Sequence, residues 1–141
     1  MPDTSIVFSS IVLLLPMVYL FLAAPAFLMV RLDIPPVARL LRAMFNGYFV
    51  ALTGAGVIGT IAVTVTGHLS LALGIGLIAA VAALSRRWFL QRVDAWIRDP
   101  DTGSADGARR LRQLHWGGML ANAVQLMVVL ACIPYFATAS S

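Results

Sequence analysis

Three stretches without a single charged residue constrain this chain more than anything else in it: residues 4–30, 43–85 and 113–141, of 27, 43 and 29 residues. An α-helix rises about 1.5 Å per residue, so about 20 apolar residues cross a hydrocarbon core. The first and last stretches therefore hold one span each, and the middle one holds two. Composition agrees: the chain is 60% hydrophobic and 11% charged, with a mean hydropathy of +0.90. A soluble domain carries roughly 25% charged residues, and disorder requires low hydrophobicity with high charge. The expectation is an all-α integral membrane four-helix bundle of up-down topology, a single transmembrane domain over residues 1–141.

The middle stretch has to turn, and Thr66-Gly67-His68 is the short polar break near its centre, with a glycine free to adopt tight-turn angles. This places spans at about 5–30, 43–65, 69–87 and 115–137. Ala23-Ala24-Pro25-Ala26 has the small residues of a cleavage site, but no basic segment precedes the long apolar run, so the first span reads as uncleaved. Beyond Arg86 the third helix keeps a helical pattern, with Phe89, Val93, Trp96 and Ile97 on one face. It should continue to about residue 98 as an amphipathic extension. Residues 99–108, rich in Asp, Gly and Ser, read as a flexible cytoplasmic loop.

All ten basic residues are arginine, and they fall into two segments, 31–42 and 86–112, between the first and second spans and between the third and fourth. Both segments lie on one side of an up-down bundle. The positive-inside rule makes that side the cytoplasm and puts both termini outside. A pI near 10.2 could point to nucleic acid, but these arginines sit at membrane ends without an aromatic-studded basic motif, so topology and anionic head groups account for them. Trp88, Trp96 and Trp116 fall near the same boundary and read as interface anchors.

Several motifs dissolve on inspection. Gly54-Ala-Gly56-Val-Ile-Gly59 matches a dinucleotide fingerprint, yet it lies inside an apolar span with no preceding strand and no acidic residue about 20 positions on. Its glycines suit close helix packing instead. Asp99, Asp101 and Asp106 do not make a calcium loop, because the chain contains no Glu to close one. Cys132 is the single cysteine, which rules out an internal disulfide or a cysteine metal set. No metal site is expected. His68 and His115 belong to opposite membrane faces, separated by about 30 Å, so one haem cannot bridge them within a protomer.

The fourth span is more informative. At 100° per residue His115, Met119, Asn122 and Gln125 share one face, a polar stripe entering the membrane. The second span carries Asn46, Thr53, Val57, Thr60 and Thr64 on one face by the same arithmetic. Both stripes are expected to point inward, where the second and fourth helices oppose each other diagonally. Either they hydrogen-bond as packing glue, or they line a cavity rimmed by His115 and Arg86. The ligand-binding candidates are Asn46, Thr53, Arg86, Met119, Asn122 and Gln125.

The run from Arg109 to Leu126, Arg-Arg-Leu-Arg-Gln-Leu-His-Trp-Gly-Gly-Met-Leu-Ala-Asn-Ala-Val-Gln-Leu, together with Trp88-Phe89-Leu90-Gln91-Arg92 and Ala23-Ala24-Pro25, resembles small four-helix bacterial inner-membrane proteins of unknown function. The resemblance implies a multi-pass protein of the bacterial inner (cytoplasmic) membrane. The basic segment before the fourth helix and the histidine at its start also resemble anthrone-oxygenase-like membrane proteins, which implies cofactor-independent oxidation of a polycyclic or phenolic substrate with His115 as the catalytic residue.

Three functions follow. The first is a non-enzymatic membrane protein that binds a hydrophobic ligand (lipid, quinone or pigment) or serves as accessory subunit of a larger membrane complex. Its partners would be membrane lipids, a membrane-protein complex or a second copy. The absence of an intramembrane carboxylate argues against a proton-coupled transporter. The second is the oxygenase, with His115 as base, Arg86 stabilising an anion, and Asn122 with Gln125 orienting a ring substituent. The third is a b-type haem protein using His115 and Met119; the first two require no cofactor.

Overall fold

The computed structural model describes residues 4–31, 34–99 and 104–138. Helix α1 spans Thr4–Ala23 and runs into a short 3-10 helix, Ala24–Leu28. Helices α2, α3 and α4 span Pro35–Val65, Leu69–Arg98 and Ala105–Thr138. The protein is all-α among its described residues, and each of the four helices is long and apolar enough to cross a membrane.

Local chemistry sets the boundaries. Pro25 opens the 3-10 segment, where a missing N–H is tolerated at a first turn. Ile34 is extended (φ −93°, ψ 120°) ahead of Pro35, as the ring of a following proline demands. The Thr66-Gly67-His68 turn forms as expected: Gly67 has φ +84°, a left-handed conformation that glycine adopts without steric cost. The His68 N–H donates to Val63 O at 3.3 Å, closing the end of α2. Asp99 is extended (φ −68°, ψ 128°) before Pro100 and ends α3. Ser104 caps α4, its Oγ accepting from the Gly107 N–H at 3.1 Å.

Two boundaries differ from the sequence reading. Helix α2 starts at Pro35 rather than near 43, and α4 at Ala105 rather than near 115. Charge-free length marks the apolar core of a helix and not its ends, and arginine is a good helix former. Residues 105–108, expected as loop, are the first turn of α4; residues 100–103 lie outside the described residues.

Contacts fix the topology. Pairing of α2 with α3 runs from Phe45 against Phe89, through Gly56 against Ala79, to Gly59 against Ile75, so the two are antiparallel. Asn122 reaches Met17 and His115 reaches Ala24, so α4 is antiparallel to α1. Phe45 against Gly118 and Tyr48 against Asn122 show α2 and α4 running the same way across the core. This is an up-down bundle in which α2 and α4 oppose each other diagonally.

The core is aromatic toward the arginine-bearing end, where Phe45 and Phe89 stack with ring centroids 4.3 Å apart. Further along, it narrows onto small residues. A Cβ at Gly56 would lie 2.6 Å from Ala79 Cβ, and one at Gly59 would lie 3.3 Å from Ile75 Cγ2. These glycines therefore let backbones approach, whereas Gly54 and Gly74 have nothing within 4 Å and take no part. The outside is apolar: Leu22, Leu40, Leu73, Leu84, Leu120 and Met127 are all exposed, a surface that suits hydrocarbon.

Candidate functional site

Two members of the polar stripe of α4, His115 and Asn122, are buried as expected, and both are hydrogen-bonded to neighbouring segments. His115 is fully buried, and its Nε2–H donates to Ala24 O at 2.9 Å. That bond fixes the tautomer, leaving Nδ1 as a bare acceptor with no partner among the described residues. Phe45 meets the imidazole edge-on at 5.7 Å between centroids, and Phe27 lies at 6.1 Å. Asn122 is 2% exposed and satisfies both ends of its amide: Nδ2 donates to Met17 O at 3.0 Å, and Oδ1 accepts from the Tyr48 hydroxyl at 2.7 Å.

The other candidates are dispersed. Met119 is half-buried and packs against the core. Gln125 is half-buried, and its side-chain amide forms no hydrogen bond among the described residues. Arg86 is exposed and donates from Nε to Asn46 Oδ1 at 2.9 Å, tying α3 to α2. The structure thus pairs Arg86 with Asn46, and His115 with the backbone of the first helical segment.

The stripe on α2 faces inward only in part, which corrects the inward orientation expected for the whole of it: Asn46, Thr53 and Thr60 are half-buried. Its buried face is Phe45, Tyr48, Phe49, Leu52, Ala55 and Gly59, while Val57 and Thr64 are exposed. Thr60 and Thr64 donate to the carbonyls four residues back, Gly56 O and Thr60 O, each at 2.7 Å. A threonine can satisfy itself on its own helix, so hydroxyl spacing does not reveal which face is inside. Thr53 Oγ1 is buried without a partner among the described residues. The sequence reading does not single out Tyr48; its signal is membership of the apolar face formed by Phe45, Tyr48, Phe49 and Leu52.

A cavity lies elsewhere. Between the extension of α3 and the first turns of α4 is a half-open cleft of about 770 Å³, lined among others by Trp88, Arg92, Trp96, Asp106, Arg110 and Leu114. The Arg92 guanidinium stacks over Trp88 at 4.4 Å from the ring centroid, a cation–π contact. Trp96 departs from the anchor reading: it is buried, and its Nε1–H donates to Gly107 O at 2.7 Å, clamping α4 to α3. Trp88 and Trp116 are exposed, at 52% and 55%. Arg42 and Asp94 form a two-bond ion pair, with Nη2 to Oδ2 at 2.9 Å, which holds the extension against α2. The extension is amphipathic as expected, with Phe89, Val93 and Trp96 buried.

Trp96→Phe keeps the ring but removes the bond to Gly107. The expected result is faster proteolytic cleavage in the α3–α4 connection at unchanged helical content. Unchanged cleavage would show that the indole bond does not hold the clamp.

Comparison with protein-family models, with curated proteins and with solved structures found no match to this chain. No group of three or more His, Cys, Asp or Glu side chains among the described residues could hold a metal ion.

Proposed function

We propose that this chain is a non-enzymatic, multi-pass protein of the bacterial inner membrane that binds a lipid-like amphiphile in the cleft between α3 and α4, at its cytoplasmic end. One observation carries this reading: the cleft joins apolar Trp88, Leu111 and Leu114 to charged Arg92, Arg110 and Asp106. Helix α3 is 30 residues long and α4 is 34, or roughly 45 and 50 Å, against a hydrocarbon core of about 30 Å. The cleft therefore falls where these helices pass from hydrocarbon to head groups. Such a site takes a molecule with an apolar body and a polar head.

The buried polar groups of α4 support the same reading by being otherwise engaged. Amides and imidazoles inside membrane helices serve as interhelical contacts, and those of Asn122 and His115 have partners on α1, α2 and the 3-10 segment. The oxygenase reading retains the unpartnered Nδ1 of His115, a general base in form. A base must come within hydrogen-bond reach of its substrate, and here aromatic rings flank a fully buried imidazole.

Native mass spectrometry of the gently detergent-purified protein, with an absorbance spectrum of the same sample, tests the proposal. A colourless adduct of lipid mass is the expected result. A bare chain, or a co-purifying protein without an adduct, would replace the amphiphile reading with that of an accessory subunit. A Soret band would replace it with the haem reading.

A further inference from the structure

Charge in the cleft is ordered by depth. Helix α3 runs out of the bundle and α4 runs back into it, so low numbers on α3 and high numbers on α4 lie nearer its apolar body. Trp88 and Leu114 are innermost, Arg92 and Arg110 come next, and the carboxylates of Asp106 and Asp99 are outermost. Asp106 precedes Arg110 by one turn, about 6 Å, and Asp99 follows Arg92 by seven residues, about 10 Å along the axis. The sequence from the membrane outward is apolar, then cationic, then anionic.

The geometry points to a phospholipid head group that carries a phosphate and, beyond it, a primary ammonium. This inference rests on the amphiphile reading and names the ligand's chemistry. Guanidinium N–H groups of Arg92 and Arg110 donate to phosphate oxygens, a charge-assisted contact for which arginine is suited. The ammonium, separated from the phosphate by a short alkyl spacer, donates its N–H groups to the outer carboxylates. The acyl chains leave past Trp88 and Leu114 along the apolar exterior. A purely anionic head group would set its outer end against Asp106 and Asp99. A trimethylammonium head group has no N–H to donate.

The full chain carrying Trp116→Phe, which leaves Trp88 and Trp96 as its only indoles, is reconstituted in phosphatidylcholine vesicles. Phosphatidylethanolamine, phosphatidylglycerol or phosphatidylcholine with brominated acyl chains is then added as quencher. Brominated phosphatidylethanolamine should reach half-maximal quenching at a lipid fraction roughly fivefold below the other two, the scale of one interfacial charge contact. Asp106→Asn should bring phosphatidylethanolamine to the level of phosphatidylglycerol. Arg110→Gln should weaken both by about fivefold.

Equal quenching by all three lipids, or a preference unchanged in Asp106→Asn, overturns the head-group assignment. If lipid is still retained in native mass spectrometry, the amphiphile reading survives that failure; if the chain is bare, both fall. Loss of the preference on adding inorganic phosphate would assign the site to a free anion and overturn the lipid.

Discussion

Replacing Asn122 with leucine should lower the stability of the folded bundle by about 2–3 kcal/mol. The substitution removes two buried hydrogen bonds and strands the Tyr48 hydroxyl and the extra contact on Met17 O. A buried polar group left without a partner costs about 1–3 kcal/mol, while interhelical hydrogen bonds in membranes average nearer 0.6 to 2. Denaturation in mixed micelles, followed by helical circular dichroism, measures the loss. Tyr48→Phe in the Asn122→Leu background should recover part of it, since no hydroxyl then remains unsatisfied, and the double-mutant cycle isolates the pair. An Asn122→Leu protein as stable as the parent would mean that the amide does not join α1, α2 and α4.

The second large effect sits at the α2–α3 contact. Gly56→Ala places a methyl group 2.6 Å from Ala79 Cβ and 3.2 Å from Ala79 Cα, so backbone and not merely a flexible side chain must move. Overpacking of this kind costs about 1–3 kcal/mol. The same denaturation assay should show that loss for Gly56→Ala and its partial recovery in Gly56→Ala with Ala79→Gly, which removes the Cβ contact but leaves the one to Cα. Gly54→Ala, with open space around it, should be neutral or slightly stabilising, since alanine is the better helix former. If the two alanine variants behave alike, the close approach at Gly56 is not what holds α2 to α3.

Charge-free length, the Gly67 turn and the periodicity of residues 89–97 were enough to read the four helices, the turn between α2 and α3, and the amphipathic end of α3. Each is a local property of composition or period. Faces were harder. In α4 the polar stripe marked the inside because His115 and Asn122 have no carbonyl on their own helix to bond and must find one on a neighbour. In α2 a similar stripe is only half-buried, since threonine bonds its own backbone and the face bearing Phe45, Tyr48 and Phe49 takes the core.

The cleft was the least legible feature. It depends on where α4 begins, and arginine-rich residues 105–114 look like connection rather than helix in a hydropathy reading. Once α4 starts at Ala105, Asp106 and Arg110 stand one turn apart across the cleft from Arg92 and Trp96, a juxtaposition across 10 or more residues of chain that no local pattern encodes. Trp96 shows the same limit: it has the sequence position of an interface anchor, but Gly107 O lies within 2.7 Å of its N–H.

On the proposed reading a lipid binds in this cleft and not around His115. Native mass spectrometry of two variants prepared side by side tests it most directly: Arg92→Gln with Arg110→Gln, and His115→Gln, whose side-chain amide can still donate to Ala24 O. The double arginine variant should lose the lipid adduct at unchanged helical content, while His115→Gln should retain it. An adduct that survives loss of both arginines but disappears with His115 would contradict it and move the site into the bundle core.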